Sequence, residues 1–160
     1  MGLFDKIKSE AIKTVSSNLP PIPGKQEPIN IKVASWTKEH KAGIQQLRKI
    51  DPDWYLKDED IMERLRGTSK ENRTYKYKYR TYSVMLIPEP NNKVDKNAIR
   101  VLFDGSFVGY IPSEQTSQMK KYINRCESLK GIIKGGPVRY VTADYVDDRC
   151  YDVEVIIQSK

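Results

Sequence analysis

The chain has 160 residues, of which 38% are hydrophobic and 31% charged. That is enough for one domain with a core, and no apolar run nears the ~20 residues that cross a bilayer. Net charge is +7 and the isoelectric point is near 9.3. The excess is local, because residues 71–100 hold seven cations against three anions while residues 101–160 balance at eight each. Such a stretch points to an anionic partner or is a solvated basic face. The start of the chain lacks the apolar core of a secretory signal, so a cytoplasmic location is expected.

Residues 2–17 read GLFDKIKSEAIKTVSS, with Leu3, Phe4, Ile7, Ala11 and Val15 near one helical face. The spacing predicts an amphipathic helix over 1–17 that docks on its own domain, on a partner or on a membrane surface. Residues 18–28 are rich in proline and form a stiff linker, which doubles as a candidate protein-binding segment. The domain proper is expected over 29–160.

INIKVASW, residues 29–36, alternates as a strand does. Ala42, Ile44, Leu47 and Ile50 recur at helical spacing until Asp51-Pro52 stops them. A second short helix over 58–66 turns Ile61, Met62 and Leu65 inward and ends at Gly67. Further on, Asp104-Gly105 between two alternating runs is a hairpin signal, since both central turn positions need positive φ. Ser113 is placed to cap a helix running through Met119, Tyr122, Ile123, Cys126 and Leu129 to Gly131. Gly135-Gly136-Pro137 reads as a turn, followed by a hairpin of 138–146 and 150–157 around Asp147-Asp148. The expected fold is mainly β with flanking helices: an antiparallel barrel of about six strands.

Between these elements lies RTYKYKYRTYSVMLIP, residues 73–88. Tyr75, Tyr77 and Tyr79 alternate with Lys76, Lys78 and Arg80, and the pattern then changes phase. Val84 and Leu86 fall on the row that carried the cations. Three cations in a core would be very costly. The phase change therefore predicts a bulge near Arg80 or an overhang beyond the core. Two readings stay open. The tyrosines line the barrel while cations solvate an edge strand, or the cations hold phosphates while the tyrosines stack bases.

The one histidine, His40, sits among charges, and no activated nucleophile lies near it in sequence. Cys126 and Cys150 fall at positions that read as core, and no CxxC or HxxxH spacing supports zinc. No phosphate-binding glycine loop or paired-acid arrangement is visible. We expect no cofactor, no metal and no enzymatic activity.

Residues 89–112, EPNNKVDKNAIRVLFDGSFVGYIP, resemble the HIRAN domain. The matching positions are Glu89, Pro90, Asn91, Asn92, Asp95, Asn97, Ala98, Ile99 and Val101, then Gly105, Val108, Gly109, Tyr110 and Ile111. The resemblance extends over about residues 29–158 and implies an OB-like β-barrel that binds nucleic acid. In family members attached to DNA-remodelling helicases, the domain captures the 3′-hydroxyl end of single-stranded DNA. Bacterial and phage relatives often stand alone.

Asp95 matches the family's end-binding carboxylate, and Tyr110 a position that approaches the nucleotide. A carboxylate accepts a hydrogen bond from a terminal hydroxyl and repels a phosphate. Asp95 can equally brace its own loop, and Asn97 reads as structural. Lys93, Lys96 and Arg100 flank the motif and, with Lys78 and Arg80 of the comb, are candidates for phosphate contact. Two positions depart from the family. Val94 stands where Tyr is frequent, and the first strand offers Trp36 alone as an aromatic, either a base stacker or part of the barrel. The expected function is a non-catalytic binder of single-stranded DNA that captures a free 3′ end. The alternative is a protein-interaction adaptor or inhibitor that keeps the fold and not the end site.

Overall fold

The computed structural model describes residues 27–160. The helix expected over 1–17, and the proline-rich stretch up to residue 26, lie outside them. The described strands are β1 (Asn30–Lys32), β2 (Asn72–Tyr75), β3 (Thr81–Pro88), β4 (Ile99–Phe103), β5 (Ser106–Tyr110), β6 (Leu129–Val141) and β7 (Val146–Ser159). The helices are α1 (Lys38–Leu47), α2 (Asp58–Leu65) and the single turn α3 (Thr116–Met119). Among the described residues, no helix is long and apolar enough to cross a membrane.

The strands form one curled antiparallel sheet in the order β1-β7-β6-β3-β4-β5, with β2 also beside β6. The curl brings its two edges together. Ala34, just past β1, exchanges both backbone hydrogen bonds with Tyr110 of β5, at 2.8 and 3.0 Å. Gly109 permits this seam. Its φ is +153°, and a Cβ there would strike the Ala34 carbonyl. The result fits the OB-like barrel of about six strands expected from the sequence: a partly closed barrel with six described strands in its main order and β2 beside β6.

The inward rows make the core. On β3, Tyr82, Val84 and Leu86 point in while Thr81, Ser83 and Met85 point out. Ile99, Val101 and Phe103 of β4 are fully buried. The Phe103 ring stacks on Tyr82 with centroids 5.8 Å apart. The Asp104-Gly105 hairpin is as expected, with φ of +46° and +84°.

Three local expectations are corrected. The helix expected from Ser113 to Gly131 is broken into short turns: Ser113–Gln115, α3, Lys120–Tyr122 and Cys126–Ser128. Leu129 and Gly131 already belong to β6. Ser113 makes no side-chain cap. Instead the Cys126 thiol and Ser128 hydroxyl bond nearby carbonyls, at 3.3 and 2.7 Å, which competes with a continuous helix. Second, Gly135-Gly136-Pro137 is no turn. It lies inside β6, where the pairing with β7 shifts register. The turn falls at residues 142–145, where the Thr142 hydroxyl accepts from the Asp144 and Tyr145 amides. Asp147 and Asp148 therefore lie in β7, and Cys150 is exposed rather than core. Third, α1 ends at Leu47, and Ile50 bridges to Tyr77 instead of extending the helix.

The Tyr/Lys comb is neither a bulged strand nor an overhang. β2 ends at Tyr75, residues 76–80 leave the ladder, and β3 begins at Thr81. Both strands pair with β6, at Val138–Val141 and at Lys130–Ile132. The irregularity that the phase change demanded sits in the partner strand, at Gly135-Gly136. Tyr75 and Tyr79 are not barrel wall, being 55% and 70% exposed, while Tyr77 is partly buried under the Arg48 guanidinium.

Candidate nucleic-acid interface

The EPNN motif connects β3 to β4 over residues 89–98. Its loop is held by its own polar side chains. The Asn92 Oδ1 accepts from the Val94 and Asp95 amides at 2.9 and 3.0 Å, an Asx turn. The Asp95 Oδ1 accepts from the Asn97 amide at 2.8 Å. Asp95 thus braces the loop with one oxygen. Asn97 accepts at its Oδ1 from the Lys120 ammonium, 3.0 Å away, which brings a further cation to the loop from the segment after α3. Val94, Lys93 and Lys96 are exposed, and Val94 is 97% so.

Glu89 is the hub of this region. One carboxylate oxygen accepts from the Tyr110 hydroxyl at 2.8 Å and from the Asn92 amide at 3.2 Å. The other accepts from the Arg100 Nε at 3.0 Å. Burial pushes the Glu89 carboxyl up, but the Tyr110 and Asn92 hydrogen bonds and the Arg100 guanidinium together outweigh it. The carboxyl therefore titrates below its ordinary range. Burial and the bond to Glu89 raise the Tyr110 phenol, which remains a donor at neutral pH. Together with Pro88, Pro90 and Asn91, these residues line an open cleft of about 530 Å³.

The cleft continues into an aromatic cluster. The Tyr110 ring meets Phe107 edge-on at 5.4 Å, and the Arg100 guanidinium lies over Phe107 at 4.3 Å. His40 packs against Phe107 at 4.6 Å, Tyr110 at 5.8 Å and Trp36 at 5.9 Å. Trp36 itself is 72% exposed. His40 is buried under these rings, and it also closes a capping box at the start of α1. Its amide donates to the Thr37 hydroxyl, and its Nδ1 accepts from the Trp36 and Thr37 amides. Burial lowers its pKa, and Arg100 adds to that, against the opposing charge of Glu39.

Trp36, Tyr110, Asn97, Lys93, Lys96 and Asp95 therefore share one end of the barrel. Lys78 and Arg80 do not. Arg80 pairs with Asp104 at 2.8 Å and covers the Tyr82 ring, at the opposite end of β3. Lys78 bonds through its amide to the Lys49 carbonyl. Eight residues of β3 separate the comb from the loop, about 23 Å. The comb's cations do not flank the EPNN loop. Sequence reading missed His40, Phe107, Lys120 and the hub role of Glu89. The Thr37-x-x-His40 spacing was a usable signal for the first; the others are joined only by the fold.

A model of the HIRAN domain family matches residues 63–151. The match covers more than half of the chain, and the protein belongs to the HIRAN domain family. It runs from the end of α2 into β7 and includes the whole EPNN cleft, while Trp36 and His40 precede it. No curated protein matches the chain, and no solved structure does.

Proposed function

We propose that this domain binds single-stranded DNA without catalysing a reaction, and that it seats a free 3′ end in the open cleft lined by Glu89 and Tyr110. The observation that carries this reading is the unbroken chain of contacts from exposed Trp36 through His40, Tyr110, Glu89 and Asn92 to Asp95. It ties an exposed ring and the hydrogen-bonded floor of the open cleft to the loop that carries Asp95. In this reading Trp36 stacks a base. Lys93, Lys96 and Lys120 meet phosphates. Asp95 accepts the hydrogen of the terminal 3′-hydroxyl, using the oxygen that the loop leaves available. Family membership supports DNA as the ligand.

The test is fluorescence anisotropy with short oligothymidines ending in a 3′-hydroxyl or a 3′-phosphate. The hydroxyl form should bind about tenfold more tightly, and Asp95→Asn should shrink that preference. Affinity should fall steeply as salt rises. Equal binding of both ends by the wild type defeats end capture. Absence of binding at low salt defeats the DNA reading altogether.

A further inference from the structure

One face of the outer sheet is unaccounted for by the cleft. The inward row of β7 starts in the core with Ile157 and Val155. Past the register shift opposite Gly135-Gly136, where three steps of β7 from Glu154 to Tyr151 lie against two of β6 from Lys134 to Gly136, the parity of the pairing changes and β7 carries on through Tyr151, Arg149 and Asp147. Directly paired residues share a face. Tyr151 lies opposite Gly136, Arg149 opposite Val138, and Asp147 opposite Tyr140 on β6. Val138 and Tyr140 in turn face Tyr75 and Arg73 on β2. Three strands thus present one continuous surface.

That surface is built of rings and guanidiniums. Tyr140 is flanked by Arg73 at 5.0 Å and Arg149 at 4.9 Å. Its hydroxyl is 2.9 Å from that of Tyr151, which fixes the outer ring. Tyr75 and Tyr151 are about half exposed, at 55% and 46%. Two carboxylates border this face: Asp147 bonds Arg149 at 2.9 Å, and Glu71 lies 3.7 Å from the Arg73 guanidinium. Beside the face, residues 71–80 carry four cations and a single acid, Glu71. A guanidinium held flat on a ring keeps its other face for a second flat group. Rings at half exposure offer stacking without a greasy patch. Flat bases joined by negative charge complement both features; an apolar protein partner complements neither.

We propose that this outer face, carrying Arg73, Tyr75, Tyr140, Arg149 and Tyr151, is a second nucleic-acid surface that stacks the bases of a single strand away from its end. It lies beyond the Thr81 end of β3, whereas the cleft lies beyond the Pro88 end. It shares with the cleft reading only the premise that the chain binds nucleic acid, and it needs no free 3′-hydroxyl.

The test uses the full chain and an oligothymidine blocked by a 3′-phosphate. Tyr75→Ala and Tyr151→Ala should each weaken its binding by about fivefold or more, while Tyr75→Phe keeps the ring and the affinity. Oligonucleotides carrying 5-iodouracil should photocross-link to Tyr75 or Tyr151, located by mass spectrometry. The proposal is overturned if the double alanine variant binds the blocked strand as tightly as the wild type, if cross-links are confined to Trp36 and Tyr110, or if the blocked strand does not bind at low salt. Loss of 3′-end preference alone, with the tyrosine effects intact, defeats the cleft reading and supports this one.

Discussion

At the Pro88 end of β3 the polar groups gather around one cleft; beyond the Thr81 end tyrosine rings stand in solvent. Glu89 gathers Tyr110, Asn92 and Arg100 into one knot. The comb beyond Thr81 instead spreads Tyr75 and Tyr79 into solvent. The difference follows from what each end is made of. A self-bonded Asx loop fixes groups to within a hydrogen bond and shapes a cleft. A bent three-stranded sheet fixes only a face, and its exposed rings are set by register. A shaped cleft suits recognition of one terminus. A face suits many equivalent bases.

The contrast can be broken at its ends. The largest effect is expected at the bend. Gly135 has φ of +89°, and a Cβ there would strike the Asp152 carbonyl. Gly135→Ala should cost about 3 kcal/mol in denaturant unfolding and misalign the outer face while leaving 3′-end preference in place. An unchanged midpoint would mean that the bend does not separate the two ends.

A smaller effect is expected at the cleft. His40→Leu removes the acceptor for two backbone amides and should cost about 2 kcal/mol. The pH dependence has a definite sign. The folded pKa of His40 lies below the ordinary value, so the unfolded chain takes up the proton first. Its stabilising contribution is complete above about pH 6.5 and is lost as the pH falls through the lowered folded value. Melting temperatures taken from neutral to mildly acid pH should fall more steeply for the wild type than for His40→Leu. Parallel profiles would remove His40 from the account.

The smallest effect is expected at the Arg80–Asp104 pair, which is partly exposed. Arg80→Ala should cost no more than about 1 kcal/mol and should leave 3′-end preference untouched. A lost preference would put Arg80 back at the cleft.

Much of this was legible in the residues. Asp104-Gly105 announced its turn because short-range backbone chemistry dictates it. The EPNN motif marked the cleft and its carboxylates. The helix written after Ser113 failed because three- and four-residue spacing also fits a string of single turns whose Ser and Cys side chains bond the backbone. Gly135-Gly136 read as a turn because a local pattern cannot tell a bend within a strand from a reversal. The comb announced a break in phase at the right place, but the partner strand carries the irregularity, and nothing local reveals a partner sixty residues away. His40 looked solvated because its burial is made by Phe107 and Tyr110, brought to it by barrel closure.

The ladder between β1 and β7 has a consequence for how the molecule forms. Ile29 donates to the Ser159 hydroxyl across 130 residues of chain, and β1 has its ladder partner only in β7. Loop entropy makes such a pairing slow and late. During synthesis β7 is the last strand to emerge, so β1 waits for it through almost the entire domain. The β3–β4 half of the cleft can take shape from contacts near in sequence. The half that carries Trp36 and His40 is held by β5, through the Ala34–Tyr110 pair and the Phe107 ring, so the candidate site can assemble before the ends of the domain meet and only the β1–β7 ladder waits for the last strand.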